Sequence, residues 1–192
     1  MGRIRFGLSK AYYAEITAVD PNTGVPTYDT PAPLLGAVNL DMQPVGDSSE
    51  TFADNVKWWG EEINSGYEGT FEFMDTAANW AFINNVLGRT TDTNGAVWES
   101  ANDVYKEFAL FGQFELRGGD PTDAVGRRVC FLRCSIGRTS VSGQTKENGV
   151  TVQTNSVNIK AMPRLDNSRT LVTADSTDTA YTNFFNAVPT FA

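Results

Sequence analysis

The sequence predicts a mainly β protein, a two-sheet antiparallel β-sandwich or barrel with one flanking helix. Short segments of alternating apolar and polar side chains follow one another, and clusters of Gly, Pro, Asn and Asp separate them. One stretch near the middle of the chain has helical periodicity, and a weaker amphipathic stretch near the C-terminus predicts a second, short helix. Because strands follow strands without helices between them, an antiparallel arrangement is favoured over a parallel sheet.

Composition narrows the classes of function. A chain of 192 residues is long enough for one domain with a sizeable core. A net charge of −8 argues against a protein that grips nucleic acid through its phosphates. Because the sequence contains no histidine, it lacks the commonest general base and every histidine-containing triad or zinc site. Enzymes built on carboxylates or lysine stay open.

Two features of the sequence bear on localisation. No apolar run approaches the roughly 20 residues of a membrane-spanning helix. The N-terminus carries Arg3 and Arg5, but no apolar stretch follows them as in a signal peptide. We therefore expect a protein that is made in the cytoplasm and does not bind a membrane.

The first part of the chain predicts an arm and three strands. Residues 1–10 are polar and short, which indicates an N-terminal arm. Residues 12–19 predict the first strand, and a turn at 21–24 predicts a hairpin that returns through 25–28. The next alternating segment, 35–42, predicts another strand, with Val38, Leu40 and Met42 on its apolar face.

The segment 51–88 has the clearest pattern in the chain. A turn is expected at 44–49 and a strand at 52–59, and glycine and polar residues then predict a loop, so that 46–66 forms a long connection. From Tyr67 the side chains alternate, which indicates a half-buried strand. Its apolar face holds Tyr67, Gly69, Phe71 and Phe73, and its polar face holds Glu68, Thr70 and Glu72.

A helix is expected at about 75–87. Asp75 has the side chain of an N-cap, and Gly88 can supply the left-handed conformation that ends a helix. Apolar residues recur between them at helical spacing, namely Trp80, Ile83 and Leu87. The sequence therefore predicts one amphipathic helix that packs against the sheets.

A hairpin is predicted in the second half of the chain, between 105–117 and 129–136. The first of these strands places Glu107 and Glu115 on its polar face. In the second strand Cys130 and Cys134 are expected on one face, roughly 13 Å apart, which is too far for a disulfide. They are predicted to be buried free thiols.

The C-terminal part predicts the end of one domain and an extension. A strand within 150–162 closes the body, so that the domain spans 11–164. The extension, 165–192, contains a strand near 171–173 and a short amphipathic helix. The apolar stripe of that helix consists of Tyr181, Phe184, Phe185 and Val188.

Motifs that carry chemistry are weak here. There is no glycine-rich phosphate loop and no dinucleotide fingerprint. Glu61 and Glu62 could be paired catalytic carboxylates, but neighbouring residues in a loop more often form a solvated charge pair. Trp58 and Trp59, with Tyr67, could form a stacking platform, although core and interface positions are commoner for such residues. We expect no catalytic residue, no metal and no cofactor.

A family resemblance covers residues 6–164. The motifs that carry it occur in the order and at the spacing of the family: FGL at 6–8, YYA at 12–14, TG at 23–24, GA at 36–37, GDS at 46–48, FADN at 52–55, NSGYEGT at 64–70, LG at 87–88, GRR at 126–128, TKE at 145–147 and AMPR at 161–164. The chain resembles the major tail tube protein of long, non-contractile-tailed bacteriophages, the siphophage major tail protein family. The tryptophan pair at 58–59 and the residues after Arg164 depart from the family pattern.

The resemblance implies a structural protein of the virion, made in the host cytoplasm. Six copies would form a ring by joining their inner sheets, and rings would stack into a tube around a tape-measure protein. Tail terminator and distal tail proteins would contact the ends of the tube. DNA would pass through the lumen without specific binding, and an acidic wall would repel it.

Two sets of candidate residues follow from this resemblance and from the strand pattern. Acidic side chains on polar strand faces are candidates for the wall of the lumen: Glu68, Glu72, Asp41, Glu107 and Glu115. Candidates for contacts between subunits or rings are Arg3, Arg5, Asp54, Trp58, Trp59, Glu61, Glu62, Tyr67, Phe184 and Phe185.

Two other classes of function stay open. An immunoglobulin-like carbohydrate- or receptor-binding module would cluster Trp58, Trp59 and Trp98 on one exposed face. A carboxylate-dependent hydrolase would need two acidic groups that converge in a pocket. A tube protein should form rings or polymers in solution, whereas these alternatives should be monomers or dimers.

Overall fold

Strands dominate the computed structural model, which describes residues 4–117, 124–141 and 154–190. The strands are β1 Ile4–Val19, β2 Pro26–Tyr28, β3 Ala32–Leu34, β4 Ala37–Ala53, β5 Val56–Met74, β6 Thr90–Thr91, β7 Val97–Trp98, β8 Phe108–Arg117, β9 Ala124–Ile136, β10 Thr154–Ala161 and β11 Leu171–Asp175. The two helices are α1 Ala77–Val86 and α2 Thr179–Thr182.

All strand pairs are antiparallel. The main sheet runs in the order β2-β1-β8-β9-β10-β5-β4, β11 also pairs with β9, β3 also pairs with β1, and β6 and β7 form a separate hairpin. The mainly β, antiparallel sandwich with few helices is therefore confirmed.

Two apolar cores hold these strands together. The first core lies between the main sheet and α1, and its largest buried side chains are Phe71, Phe73, Phe82, Ile83, Phe108, Leu110 and Ile159. The second core lies between β1, β8 and β9 and the C-terminal segment, and it contains Ala14, Ala109, Phe111, Cys130, Leu132, Ala174, Phe184 and Val188. The central strands are thus buried on both faces.

Burial on both faces corrects the expected pattern of the second hairpin. Ala109 and Phe111 are as fully buried as Phe108 and Leu110, on the opposite side of the same strand. The alternation was predicted correctly only near the end of β8, where Gln113 and Glu115 are less buried than Leu116. The sheet face that was expected to meet solvent is instead covered by the chain after residue 165.

Cys130 and Cys134 are free and fully buried, as expected, but they belong to different cores. The prediction that they share one face of the strand was wrong. The register between β8 and β9 shifts from Phe108↔Cys134 to Leu110↔Phe131, so one strand has an additional residue there. Such a bulge reverses the alternation of side chains and turns the two thiols to opposite faces.

The helix begins one residue later than expected. Thr76 is the N-cap, and its hydroxyl accepts a hydrogen bond from the Asn79 amide at 3.2 Å. Asp75 accepts a hydrogen bond from the Trp80 indole instead. The side chain of Asn79 donates to Leu35 O at 2.7 Å and to Met74 O at 2.9 Å, which ties the helix to the segments beside it. Gly88 has the left-handed conformation that was predicted, with φ +70°.

Three predicted irregular segments are strands in the structure. Residues 4–10 of the expected N-terminal arm belong to β1 and pair with β8. The turn expected at 44–49 and the loop expected at 46–66 are parts of β4 and β5, and the real turn lies at Asp54 and Asn55, inside the strand predicted at 52–59. The glycine-rich composition therefore predicted a loop in a segment where the backbone continues as two paired strands.

The segment after Arg164 is not a separate extension. Residues 171–175 form β11 on the edge of β9, and the aromatic stripe after it fills the second core. The helix there is short, Thr179–Thr182, and the chain continues in turns to Asn186. Because this segment covers apolar side chains of the central sheet, it is part of the domain.

Candidate functional site

The most unusual feature of the structure is a two-stranded arm, defined as residues 44–65. Its strands are the distal halves of β4 and β5, and every residue of the arm is exposed. Asp54 and Asn55 form its tip with φ of 53° and 63°, the left-handed pair that a two-residue type I′ turn requires. Ten residues per strand give the arm a length of about 33 Å.

One face of the arm is an apolar stripe. The ladder pairs Ala53 with Val56, Thr51 with Trp59, Asp47 with Ile63 and Val45 with Gly66. Because paired residues share a face and alternate residues do too, Val45, Val56, Trp59 and Ile63 lie on the same side. Trp58 occupies a bulge beside Trp59 and is 75% exposed. Val56, Trp59 and Ile63 are also exposed, at 62%, 48% and 52%.

The opposite face of the arm carries a mixture of charges. Lys57 forms an ion pair with Glu50 there, and Glu62 lies on the same face by the register of the ladder. Glu61 lies on the apolar side, so the two neighbouring glutamates cannot converge on one substrate. The arm as a whole has a net charge of −4, because it contains one lysine, Lys57, and five carboxylates, namely Asp47, Glu50, Asp54, Glu61 and Glu62.

The arm receives no stabilisation from either core. None of its residues belongs to the two clusters of buried side chains. An isolated two-stranded hairpin is marginally stable in water, and an exposed stripe with two tryptophans is costly to leave in contact with solvent. This arrangement is typical of a surface that is covered by a partner.

A second candidate surface is the outer face of β4, β5 and β10. By register, Asp41 lies opposite Thr70, and Lys160 lies opposite Glu68. Asp41 accepts a hydrogen bond from Gln43 at 2.7 Å, and Glu72 accepts one from Thr154. Three of the five predicted lumen residues, Asp41, Glu68 and Glu72, therefore share one polar face.

The other two predicted lumen residues lie elsewhere. Glu107 accepts two hydrogen bonds from Arg133, at 2.7 Å to Nε and 2.7 Å to Nη2, and this fork raises the pKa of Arg133. Glu115 lies on β8, on the same face as Phe111 of the second core. The five carboxylates therefore do not form one cluster, because the strand order separates β8 from β5 by two strands. That at least two of them line a lumen stays a prediction.

Several predicted contact residues make contacts within the chain instead. Tyr67 packs edge-on against Phe131, with ring centroids 5.4 Å apart, in the first core. Phe184 is only 2% exposed, and Phe185 stacks on Tyr12 with centroids 4.6 Å apart. Phe184 is therefore covered by its own subunit, whereas Tyr67 and Phe185 keep part of their surface exposed.

The remaining predicted contact residues are at the surface. Asp54, Trp58, Trp59, Glu61 and Glu62 are exposed on the arm. Arg5 is exposed on β1, with its guanidinium carbon 5.0 Å from the ring centroid of Phe114. Arg3 lies outside the described residues. The structure thus brings together the candidates of the arm and leaves Arg5 apart from them.

Two features were not predicted from the sequence. Val56 and Ile63 complete the apolar stripe, and the Asp54-Asn55 pair between the apolar residues Ala53 and Val56 was the local signal for a hairpin there. The second feature is Arg128, whose guanidinium carbon lies 3.8 Å from the ring centroid of Tyr181 and helps to hold the C-terminal segment on the sheet.

Within the described ranges, no group of three potential metal ligands comes together. Trp98 is exposed on the β6–β7 hairpin. Arg89, directly before this hairpin, donates to Thr139 Oγ1 beyond the end of β9, so the hairpin lies at the end of the body away from the arm. The three tryptophans therefore do not form the single ligand face that a binding module would require.

Comparison with known proteins adds no further assignment. No family model matches the chain, and no curated protein matches it. Among the described residues, no helix is long and apolar enough to cross a membrane. The resemblance to tail tube proteins thus stays a prediction from the sequence motifs.

Proposed function

We propose that this chain is a structural protein that polymerises with copies of itself, as the major tail tube protein of a long, non-contractile bacteriophage tail. Hexameric rings would stack into a tube around a tape-measure protein, and tail terminator and distal tail proteins would contact its ends. The observation that carries this proposal is the arm, residues 44–65, with its exposed apolar stripe.

The energetics of the arm support self-assembly. Trp58 and Trp59 would each bury roughly 150–250 Å² on binding, and tryptophans are the commonest energetic anchors of interfaces. The arm projects from the body as a preformed ladder, so little backbone ordering would be needed when a partner covers it. A binding pocket for a small ligand is concave, whereas this surface is a protruding rod.

The sheet supports ring formation in a second way. β4 ends the main strand order and has a hydrogen-bonded neighbour on one side only among the described residues. An unpaired edge is a template for another strand, and joining the edges of neighbouring copies into a ring removes it. The polar face of β4, β5 and β10 would then become the inner wall of the ring.

The charge of that wall suits the passage of a genome. Asp41, Glu68 and Glu72 carry three negative charges on the face, and Lys160 carries one positive charge. Six copies would repeat this net negative charge around the lumen. Phosphates would be repelled, so the wall would not retain DNA.

Replacement of residues 46–65 by Asn-Gly tests this proposal. The two-residue turn would keep the pairing of Val45 with Gly66 and remove the arm. We expect a folded protein with an unchanged melting temperature that forms no tubes in negative-stain microscopy at concentrations where the intact protein does. Thr173→Ala, an exposed change on β11, is the control and should leave tubes intact.

Tubes of normal length from the shortened protein would contradict the proposal. So would an intact protein that stays monomeric in sedimentation at high concentration and binds glycans on an array, since that result is expected of a binding module.

A further inference from the structure

We infer that the arm of one copy docks on the opposite end of the body of the next copy, which we call the helix end. The helix end has two parts. One is the start of α1 with Leu35 and Met74 beside it. The other is the surface formed by Arg89, the β6–β7 hairpin, residues 104–106 and Arg138. This inference rests on the proposed function in one respect, namely that the partner of the arm is a second copy of this chain.

The strand register shows that the two surfaces lie at opposite ends. Tyr67 pairs with Ala161, Ala161 with Cys134, and Cys134 with Phe108, which forms one row across four strands. The arm lies on one side of this row, through the residues of β5 that precede Tyr67. Met74, at the C-terminal end of β5, lies on the other side of the row and leads into α1.

Other contacts place the rest of the helix end on that far side. The residues before Phe108 and after Cys134 extend away from the arm, because β8 and β9 are antiparallel. The Lys106 amide donates to Val86 O at 2.8 Å, and Arg89 donates to Thr139 Oγ1 at 3.3 Å. The end of α1 and the β6–β7 hairpin are therefore fixed to the end of the body that the arm does not occupy.

Exposed apolar side chains are concentrated at these two ends. Of the seventeen large apolar side chains that are exposed among the described residues, six belong to the arm and six to the helix end. Trp98 is 64% exposed, Val104 78% and Tyr105 50%. Because monomers rarely expose large contiguous apolar patches, both ends are typical of interaction surfaces.

A groove at the helix end fits an aromatic anchor. It lies between α1 and the β6–β7 hairpin and is lined by Trp80, Asn84, Arg89, Val97 and Glu99. Its apolar walls and the guanidinium of Arg89 are the surroundings that an indole ring prefers. Trp58 and Trp59 are the aromatic side chains that the arm could place there.

Charge at the groove is complementary to the arm. Arg89 and Arg138 both bind the carboxylate of Glu99, and the hydrogen bond from Arg89 lowers the pKa of that group. Two guanidinium groups therefore share one carboxylate, and the side chain of Arg138 is 73% exposed. On the arm, Glu61 lies on the same face as Trp59, two residues along the strand, and can meet the remaining positive charge.

Acidic residues at the helix end are occupied by local contacts. Asp92 accepts hydrogen bonds from the Asn94 and Ala96 amides at 2.8 and 2.9 Å. Asp103 accepts one from the Ser100 amide at 2.8 Å. These carboxylates stabilise turns, whereas Arg89 and Arg138 are the cations at Glu99, which lines the groove.

The two surfaces differ from each other, so the contact is heterologous. Such a head-to-tail contact leaves one free arm and one free helix end in every complex, and stacking can continue without limit. A contact between two arms would instead be isologous and would stop at a dimer.

Mixing two defective variants tests the inference. Trp58→Ser with Trp59→Ser removes the anchors and keeps the helix end, whereas Trp98→Ser with Arg138→Glu impairs the helix end and keeps the arm. We expect each variant to fold and to associate with itself roughly tenfold or more weakly than the intact protein. A mixture should form complexes with equal amounts of the two variants that stop growing after one docking contact, since only one pair of intact surfaces is present.

Disulfide trapping provides a second measurement. Both native cysteines are fully buried, so an introduced exposed cysteine can be cross-linked selectively. Glu61→Cys and Arg138→Cys proteins should form a mixed disulfide dimer when combined under mild oxidation. Cross-linking of Glu61→Cys copies to each other, with no mixed dimer, would overturn the inference and indicate a contact between arms.

The outcomes separate this inference from the proposed function. Tubes from the intact protein with no mixed dimer would reject the helix end as the docking site and leave the tube function standing. A mixed dimer without tubes from the intact protein would support the docking site and reject the tube. Absence of both would reject both.

Discussion

Lys160 lies directly opposite Glu68 on the neighbouring strand, with its Nζ 2.8 Å from Oε1 of the carboxylate. Both side chains are more than half exposed, so this ion pair contributes little to the free energy of folding. Its importance lies in the charge of the surface, because Lys160 offsets one of three carboxylates on the polar face of β4, β5 and β10.

Glu68→Lys should change that surface without disturbing the fold. The substitution leaves two lysines opposite each other and removes the net negative charge of the face. We expect tubes to assemble and DNA to adsorb to their inner wall, with slower genome ejection at physiological salt and recovery as salt screens the charges. Ejection kinetics of a phage that carries the change measure the effect.

Glu115→Lys is the matched control, since it introduces the same charge difference on β8, which two strands separate from β5. If both variants eject DNA at the normal rate, the face around Glu68 does not meet the genome.

Phe184→Ala should destabilise the single subunit. The ring of Phe184 is buried in the second core and packs edge-on against Phe111, with centroids 6.0 Å apart. Removal of a buried phenylalanine ring costs about 3–5 kcal/mol of unfolding free energy. Urea denaturation at a concentration where the protein is monomeric measures it.

Trp58→Ala is the comparison, because its ring is exposed and belongs to neither core. We expect its unfolding free energy to change by less than about 0.5 kcal/mol. A loss as large as that of Phe184→Ala would mean that the arm packs against the body of its own subunit.

Stability should fall at alkaline pH because of the buried thiols. Burial raises the pKa of Cys130 and of Cys134 above the ordinary value, so both stay protonated in the folded state. The unfolded chain loses these protons once the pH exceeds roughly 8.5. Above that pH the unfolded state binds fewer protons than the folded state, and stability decreases by up to about 1.4 kcal/mol per pH unit for each thiol.

The check is urea denaturation between pH 7 and 10, with Cys130→Ala combined with Cys134→Ala as the control. The control should lose part of the alkaline slope. In the native protein neither thiol should react with Ellman's reagent at pH 8, and both should react after denaturation.

Asn55→Ala should loosen the arm. Asn55 has φ of 63°, and an alanine in this left-handed region costs about 1–2 kcal/mol. The arm has no core contacts to resist fraying, so amide hydrogen exchange should accelerate in 44–65 and stay unchanged in the body. Asn55→Gly, which accepts the same φ without strain, should keep the protection of the parent protein.

The fold class could be predicted because alternation identifies strands whose two faces differ. Phe71 and Phe73 are buried while Glu68 is exposed, and the pattern of β5 near them is correct. The same rule failed for β8, since Ala109 and Phe111 are covered by the C-terminal segment. Periodicity cannot reveal a third layer that distant residues supply.

The arm escaped prediction for the opposite reason. Both of its faces are exposed, so no burial pattern separates strand from loop, and Gly60 and Gly66 gave it the composition of a loop. The Asp54-Asn55 turn was a local signal of the hairpin. Such a pair indicates a hairpin only when the segments on either side form paired strands, and this pairing is seen only in the structure. The exposure of Trp58, which makes the arm a candidate site, is likewise a property of the fold.

In the proposed polymer, a subunit whose arm leaves one end of its body while α1 covers the other would give unlike tips. One tip would present free arms, and the other would present unoccupied grooves beside Trp98. Addition at the two tips would then proceed at different rates, and a protein that blocks one kind of tip would halt growth there while the other continued. Length control could therefore be exerted by capping a single tip.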